Sequence, residues 1–287
     1  MSFYFFAWVA SVFYAIEAVI GKLISKYTVK NPWLFNFLWT GISLILIGGT
    51  SLYYGVHWPA SWPPLILASV FYALGGLLYI IGIYYFDISA LSPLFNFRTV
   101  FAVILAALML GEILSLNQYI LIVLTFIAGI FVTMDERFSI RSFFSWPMLV
   151  VMGDMVGLAL MGIYIQKAVV ANGFWTVTFF LALLTQILFL TTIPMFRKDW
   201  TSLSWKHLPG IFWMALAGFV ATLAANKAYS LNVGISSTII SLPLSMVMAI
   251  VLSAFWPDLL EKHSRKVYLT RFLAAGVMFA AAIILSK

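Results

Sequence analysis

The sequence predicts an all-α integral membrane protein of ten transmembrane helices, arranged as two inverted five-helix repeats. Three observations predict this class. Of the 287 residues, 64% are hydrophobic and only 9% are charged, whereas a soluble domain carries about 25% charged residues. Long apolar segments recur along the whole chain, and the longest polar stretch, 135–142, lies almost at its middle. Lipid is therefore the solvent that this composition suits.

Ten segments satisfy the length requirement for spans, because a helix that crosses the bilayer needs about 20 mainly apolar residues. Turn and helix-start signals separate the segments, among them Asn31-Pro32, Asn172-Gly173 and Pro257. The predicted spans are 3–26, 31–54, 62–86, 89–111, 117–134, 144–170, 173–196, 206–230, 234–255 and 267–286.

The central polar stretch suggests that the chain is an internal duplication. An offset of 141 residues superposes a glycine, a lysine and an asparagine on the same residue types. These pairs are Gly21 with Gly162, Lys26 with Lys167, and Asn31 with Asn172. An offset of 145 superposes the fourth span on the ninth. Because five is an odd number, the second half must enter the membrane upside down, as in the inverted repeats of secondary transporters. The predicted domains are a first repeat at 1–134, a polar linker at 135–143 and a second repeat at 144–287.

Basic residues indicate the orientation. Side A is defined here as the side of the bilayer that holds the amino terminus, and side B is the opposite side. Side A carries Lys167, Lys227 and Lys287, side B carries twelve Lys and Arg residues, and Arg98 lies within a span. The positive-inside rule places side B in the cytoplasm, so both termini are expected outside a plasma (cell inner) membrane. The net charge of +7 therefore indicates topology, and we expect no nucleic-acid partner.

Motifs near the ends of both halves point to a family. The first half contains IYYFDISALSP (83–93) and FAVILAALMLGE (101–112), and the second contains ANKAYSLNVGISSTIISLPLSMVMAIVLSAF (225–255) with a mid-helix proline. These stretches resemble the EamA family of the drug/metabolite transporter (DMT) superfamily. Arg98 departs from the pattern, because a proline is usual there. Trp-Pro-Asp at 256–258 replaces the closing Gly-Glu, and the charge bias opposes the termini-inside arrangement usual in the family. The resemblance implies a transporter whose central cavity is lined by both repeats.

Three charges fall inside predicted spans, at about the same depth: Glu17, Asp154 and Arg98. Charges within a bilayer are costly and usually functional. Arg98 can hold a substrate carboxylate in its planar fork. Glu17 or Asp154 can hold an ammonium group or carry a coupling proton. The alternative is a structural ion pair, in which Arg98 and one carboxylate lock the two repeats together.

Other cavity-lining candidates carry a weaker signal. Four aromatic residues can present ring faces to a ligand, two polar residues lie within spans, and one proline can kink a span and free a carbonyl. They are Trp39, Tyr72, Tyr79, Tyr84, Asn226, Gln186 and Pro243. For Asn226 and Gln186, hydrogen bonding between helices is the favoured role. No cofactor or metal is expected, because cysteine is absent and the three histidines lie far apart.

These features predict a secondary active transporter of a small polar or zwitterionic, amino-acid-like metabolite. Alternating access would move the substrate, driven by its own gradient, by protons or by exchange, since no nucleotide-binding motif occurs. A transporter of organic cations or drugs, bound by the acids and the aromatics, is the alternative. A channel would need rings of like charge, and an integral-membrane enzyme would need a catalytic motif; the sequence favours neither. The oligomeric state stays open.

Overall fold

The computed structural model describes residues 2–85, 95–133, 146–200, 208–255 and 265–285. Within these ranges the chain forms twelve helices and no strand. The helices are α1 (Phe3–Tyr27), α2 (Pro32–Tyr54), α3 (Pro63–Tyr85), α4 (Phe97–Leu110), α5 (Leu116–Thr133), α6 (Trp146–Asn172), α7 (Phe174–Leu190), α8 (Ile193–Phe196), α9 (Leu208–Tyr229), α10 (Val233–Ile240), α11 (Leu244–Phe255) and α12 (Arg265–Leu285).

Six helical segments are long and apolar enough to cross a membrane. They are Phe3–Tyr27, Pro32–Tyr54, Pro63–Tyr84, Gly153–Asn172, Leu208–Tyr229 and Val233–Leu252. Four shorter apolar helices accompany them in the described part of the chain. They are Phe97–Leu110, Leu116–Phe131, Phe174–Leu190 and Leu269–Leu285. The protein is therefore a multi-pass membrane protein, and each predicted span overlaps one of these segments.

Three predicted spans differ from the helices that form. The segment predicted at 173–196 is split into α7 and α8, and the segment predicted at 234–255 is split into α10 and α11. Pro243 explains the second break, because proline has no N–H to donate and its ring clashes with the preceding turn. Of the segment predicted at 89–111, α4 begins only at Phe97, and residues 86–94 lie outside the described residues.

Local sequence signals determine where several helices begin and end. The side chain of Asn31 accepts hydrogen bonds from the N–H groups of Trp33 and Leu34, and Pro32 follows at the first helical position of α2. Asn232 caps α10 in the same way through the N–H of Ile235. Gly111 ends α4 with φ 67°, a left-handed conformation that favours glycine.

The most extensive helix packing joins the two ends of the chain. Helix α1 packs on α9, α3 on α6, α5 on α12, and α2 on α7. Small residues allow α1 and α9 to approach closely, as is common between helices in membranes. The buried small residues of α9 are Ala215, Ala217, Gly218, Ala221, Ala224, Ala225 and Ala228. This close packing brings residues of both halves to the centre of the bundle.

Candidate functional site

A cavity of about 140 Å³ lies among helices from both halves of the chain. Helices α1, α2, α3 and α4 contribute to its wall from the first half, and α6, α10 and α11 contribute from the second. The lining residues are Ser11, Tyr14, Ala15, Glu17, Ala18, Trp39, Tyr72, Gly75, Gly76, Tyr79, Phe95, Arg98, Leu158, Met161, Ile240, Ser241, Leu242 and Ser245. We call this space the central cavity.

Glu17 is on the wall of the central cavity, where α1 contacts α9. Its side chain is only 1% exposed, and its Oε1 has no hydrogen-bond partner among the described residues. The carboxylate rests on Gly218, where an added Cβ would lie 2.9 Å from Glu17 Cδ and 3.3 Å from Trp39 Nε1. The indole N–H of Trp39 therefore lies beside the carboxylate, and both depend on the missing side chain of Gly218.

Arg98 is also on the wall of the central cavity, carried by the first turn of α4. Its Nη2 donates a hydrogen bond of 2.6 Å to the hydroxyl of Tyr229, and its guanidinium lies 5.1 Å from the centre of the same ring. Its Nε is buried and has no hydrogen-bond partner in the described ranges. The second half of the chain thus anchors Arg98 through one nitrogen and leaves further donor capacity beside the cavity.

Asp154 is close to the central cavity but is not part of its wall. It lies on α6, is 8% exposed, and its Oδ1 would be 3.6 Å from a Cβ added to Gly75. Arg98 acts on it electrostatically, yet the two side chains form no ion pair within the part of the chain that the structure describes. Of the three charges predicted from the sequence, two therefore line the cavity and the third lies behind Gly75.

Three of the four predicted aromatic residues line the central cavity: Trp39, Tyr72 and Tyr79. The rings of Trp39 and Tyr79 are 6.3 Å apart, and Phe95 adds an edge-on contact with Tyr79 at 5.9 Å. The hydroxyl of Tyr72 lies 3.2 Å from the hydroxyl of Thr222 on α9. The wall therefore combines ring faces with the two charges.

Tyr84 and Gln186 lie away from the central cavity. Tyr84 donates its hydroxyl hydrogen to the carbonyl of Val29, which ties the end of α3 to the end of α1. Gln186 accepts a hydrogen bond of 2.7 Å from the hydroxyl of Thr40, which joins α7 to α2. Both side chains serve contacts between helices in this structure.

Asn226 and Pro243 are also absent from the cavity wall. Asn226 is buried in α9, 2% exposed, and its Nδ2 has no hydrogen-bond partner among the described residues. Pro243 occupies the break between α10 and α11, while its neighbours Ser241 and Leu242 line the cavity. The kink thus shapes the wall without placing the proline ring in it.

The structure adds wall residues that the sequence analysis did not name, of which Tyr14 is the clearest. Tyr14 lies three residues before Glu17 on α1, close to both Glu17 and Tyr72. Helical spacing is the signal that can find it, because residues three apart share a face. Arg271 was counted only as a topology signal, and the structure buries it within α12.

The described ranges contain no group of three or more residues that could hold a metal ion. The fold and the site together define an all-helical multi-pass membrane protein with a charged central cavity enclosed by both halves of its chain. Residues 1–134 match the EamA-like transporter family, and the protein belongs to the EamA/DMT superfamily. Members of this family are membrane transporters rather than enzymes.

A solved structure described only as "Crystal structure of protein" has the same fold. It superposes with a TM-score of 0.69 and 14% sequence identity, covering 96% of this chain and 97% of that one. It is one of 28 chains of solved structures that match. No curated protein matches the sequence.

Proposed function

We propose that the protein is a secondary active transporter of a small zwitterionic, amino-acid-like metabolite, moved by alternating access. One observation carries the proposal: Glu17 and Arg98, which have opposite charges, lie on the wall of one cavity that both halves of the chain line. A charge that a bilayer protein buries is usually functional. A ligand with an ammonium and a carboxylate group complements this pair.

The alternating-access part of the proposal requires ten spans in two inverted repeats, 1–134 and 144–287, and the packing supports this arrangement. Exchanging the halves replaces α1 by α6, α2 by α7, α3 by α9, α4 by α10 with α11, and α5 by α12. The α1–α9 contact then becomes the α6–α3 contact, and the α4–α6 contact becomes the contact of α1 with α10 and α11. The α2–α7 and α5–α12 contacts map onto themselves.

Two asparagines support the inverted relation. Asn31 Nδ2 donates to Asp199 Oδ2 at 2.6 Å and to the carbonyl of Met195 at 3.2 Å, which ties the start of α2 to the segment after α7. Asn172, 141 residues later, bonds the backbone N–H and carbonyl of Ser61 at 2.8 and 2.9 Å, which ties the start of α7 to the segment after α2. Equivalent residues thus make equivalent contacts at opposite ends of the bundle.

The proposed roles follow from the geometry of the wall. Glu17 binds the ammonium group, because its buried Oε1 has no hydrogen-bond partner among the described residues and a buried unpartnered acceptor costs about 1–3 kcal/mol. Arg98 binds the carboxylate with the donors that Tyr229 does not occupy. Asp154 offsets the charge of Arg98 from behind the wall. Because Glu17 can also take up a proton, coupling to protons and exchange of substrates both stay within the proposal.

A transporter of organic cations is the second candidate, favoured by the aromatic wall of Trp39, Tyr79 and Phe95 beside Glu17. Two features favour the zwitterion instead. Arg98 on the same wall repels a purely cationic ligand. The cavity volume of about 140 Å³ is also small beside the roughly 300–1,000 Å³ of pockets for drug-sized ligands.

Counterflow in liposomes tests the proposal. Vesicles loaded with unlabelled amino acids should accumulate labelled amino acid transiently through a carrier, whereas a channel only dissipates the gradient. Paired probes then identify the groups that are read: L-leucine, its amine 3-methylbutylamine and its acid 4-methylpentanoate. Binding of L-leucine alone supports the zwitterion. Equal binding of the amine selects the organic cation, and absence of exchange for every amino acid contradicts the proposal.

Two variants assign the charges. Glu17→Gln should abolish recognition of the ammonium group, while Glu17→Asp should retain part of it. Arg98→Lys should weaken binding of the carboxylate about tenfold, since a lysine lacks the planar fork. Arg197→Lys is the matched control, because Arg197 is exposed. Unchanged affinity in Arg98→Lys would make Arg98 a structural residue. An acid pulse that drives uptake in wild type but not in Glu17→Gln supports proton coupling.

The proposed orientation places side B in the cytoplasm and both termini outside. The chain contains no cysteine, so single cysteines report orientation directly. Ser2 and Lys30 are both exposed and lie at opposite ends of α1. Ser2→Cys should react with an impermeant maleimide added outside intact cells, and Lys30→Cys should react only after lysis. The reverse pattern would place the termini inside.

A further inference from the structure

We infer that Leu158 determines specificity at the central cavity, because it receives the apolar side chain of a substrate whose ammonium group Glu17 binds. The inference rests on the proposed function and narrows its substrate class to amino acids with aliphatic side chains. It starts from a correspondence between positions. Glu17 and Leu158 are 141 residues apart, the same separation as Asn31 and Asn172, which make equivalent contacts in the two halves.

The surroundings of the two positions correspond as well. Both side chains line the central cavity. Glu17 rests on Gly218 of α9, and Leu158 rests on Gly75 of α3, where an added Cβ would lie 3.3 Å from Leu158 Cγ. Helices α3 and α9 occupy corresponding places in the two halves. The bundle therefore contains two similar seats, each with a glycine of the opposite half beneath it.

The two seats differ in chemistry. The Glu17 seat presents a carboxylate, and the Leu158 seat presents an aliphatic side chain that Met161 extends one turn further along α6. Asp154 also approaches Gly75, but Leu158 and not Asp154 lies on the wall. A ligand that places its ammonium group at Glu17 directs its other substituents toward Arg98 and Leu158. The carboxylate suits Arg98, and an aliphatic side chain suits Leu158.

A polar side chain is disfavoured at the Leu158 seat. It would lose its hydration and find no hydrogen-bond partner on Leu158 or Met161, and an unpaired buried polar group is unfavourable. L-Leucine and L-asparagine make a sharp comparison, because their side chains have similar branched shapes but different polarity. The inference predicts that wild-type protein binds L-leucine at least tenfold more tightly than L-asparagine. Glycine, which has no side chain, should bind weakly.

Competition of these three amino acids against labelled substrate in counterflow, with full-length protein in liposomes, tests the inference. Leu158→Ala should weaken L-leucine about tenfold, the range expected when a pocket loses apolar contact, and change glycine less than about twofold. Leu158→Met, which conserves volume and is well tolerated in packed sites, should keep the order of the three ligands. Leu65→Ala is the matched control, because Leu65 is fully buried on α3 but does not line the cavity.

The outcomes separate this inference from the proposed function. Exchange of L-leucine and L-asparagine with equal affinity by wild-type protein overturns the inference and leaves the transporter proposal standing. The same holds if Leu158→Ala weakens all three ligands in proportion, as a general loss of packing in Leu65→Ala would. Failure of wild-type protein to exchange any amino acid overturns the proposed function, and the inference with it.

Discussion

Replacing Gly218 by alanine tests whether the site depends on the close approach of α1 and α9. An alanine Cβ at this position would lie 2.9 Å from Glu17 Cδ and 3.3 Å from Trp39 Nε1, whereas ordinary contacts are 3.4–4 Å. The carboxylate carbon must therefore move by at least about half an ångström. Because α9 approaches on a seam of small residues, the helices cannot separate without opening that packing. The carboxylate is the group that we expect to move, toward the cavity.

The size of the effect follows from this overlap. Adding a methyl group to a well-packed interior costs about 1–3 kcal/mol, while glycine-to-alanine substitution within a helix contributes about 0.5–1 kcal/mol of stability in return. We expect Gly218→Ala to lower the free energy of unfolding by about 1–2 kcal/mol. Displacement of Glu17 should also weaken ligand binding about tenfold, which corresponds to about 1.4 kcal/mol.

Thermal unfolding and ligand titration of the purified protein measure both effects. Gly49→Ala is the matched control, because Gly49 lies on α2 with nothing within 4 Å of an added Cβ. It should raise the melting temperature and leave binding unchanged, so the two variants should shift stability in opposite directions. If Gly218→Ala behaves like Gly49→Ala in both assays, Glu17 is not held against Gly218 as described.

Three further substitutions probe contacts between the halves. Glu112→Gln should lower stability by about 1 kcal/mol, since the Glu112 carboxylate accepts the first two N–H groups of α10, at 2.7 and 3.0 Å, next to the positive end of the helix dipole. Asn172→Ala removes two hydrogen bonds to the Ser61 backbone and should cost about 1–3 kcal/mol in thermal unfolding. Tyr229→Phe keeps the ring beside Arg98 but removes the acceptor of its 2.6 Å hydrogen bond. It should cost about 1–3 kcal/mol and alter the affinity for carboxylate-bearing ligands.

Controls and contradicting outcomes differ among the three. Ser61→Ala should be silent, because Ser61 contributes only backbone atoms to its bonds with Asn172; a loss equal to that of Asn172→Ala would refute this assignment. Tyr119→Phe, at an exposed position, is the control for Tyr229→Phe. For Glu112, we expect alanine to destabilise more than glutamine, since glutamine keeps one acceptor. Equal melting temperatures for wild type and both Glu112 variants would show that the cap contributes no stability.

The sequence analysis found Glu17 and Arg98 because a charge within an apolar segment is visible locally. The burial of each then follows from the hydrophobic length of the helix that carries it. Aromatic residues gave no such contrast. Tyr79 and Tyr84 both belong to α3, yet Tyr79 lines the cavity and Tyr84 bonds α1. Which face of α3 meets the cavity depends on its neighbours, and apolar residues surround the helix on every side.

Composition and apolar segment length determined that this chain folds as a multi-pass bundle of helices in lipid, because backbone groups in a bilayer must be satisfied within each helix. The helix-capping asparagines and the kink at Pro243 were also set locally. The tertiary structure alone decided which charges share a cavity. Gly218 and Gly75 carry no chemical signal in the sequence, and they acquire their importance only when a helix from the opposite half places Glu17 or Leu158 against them. Proximity between residues so far apart in the chain arises from helix packing, and segment hydrophobicity does not encode it.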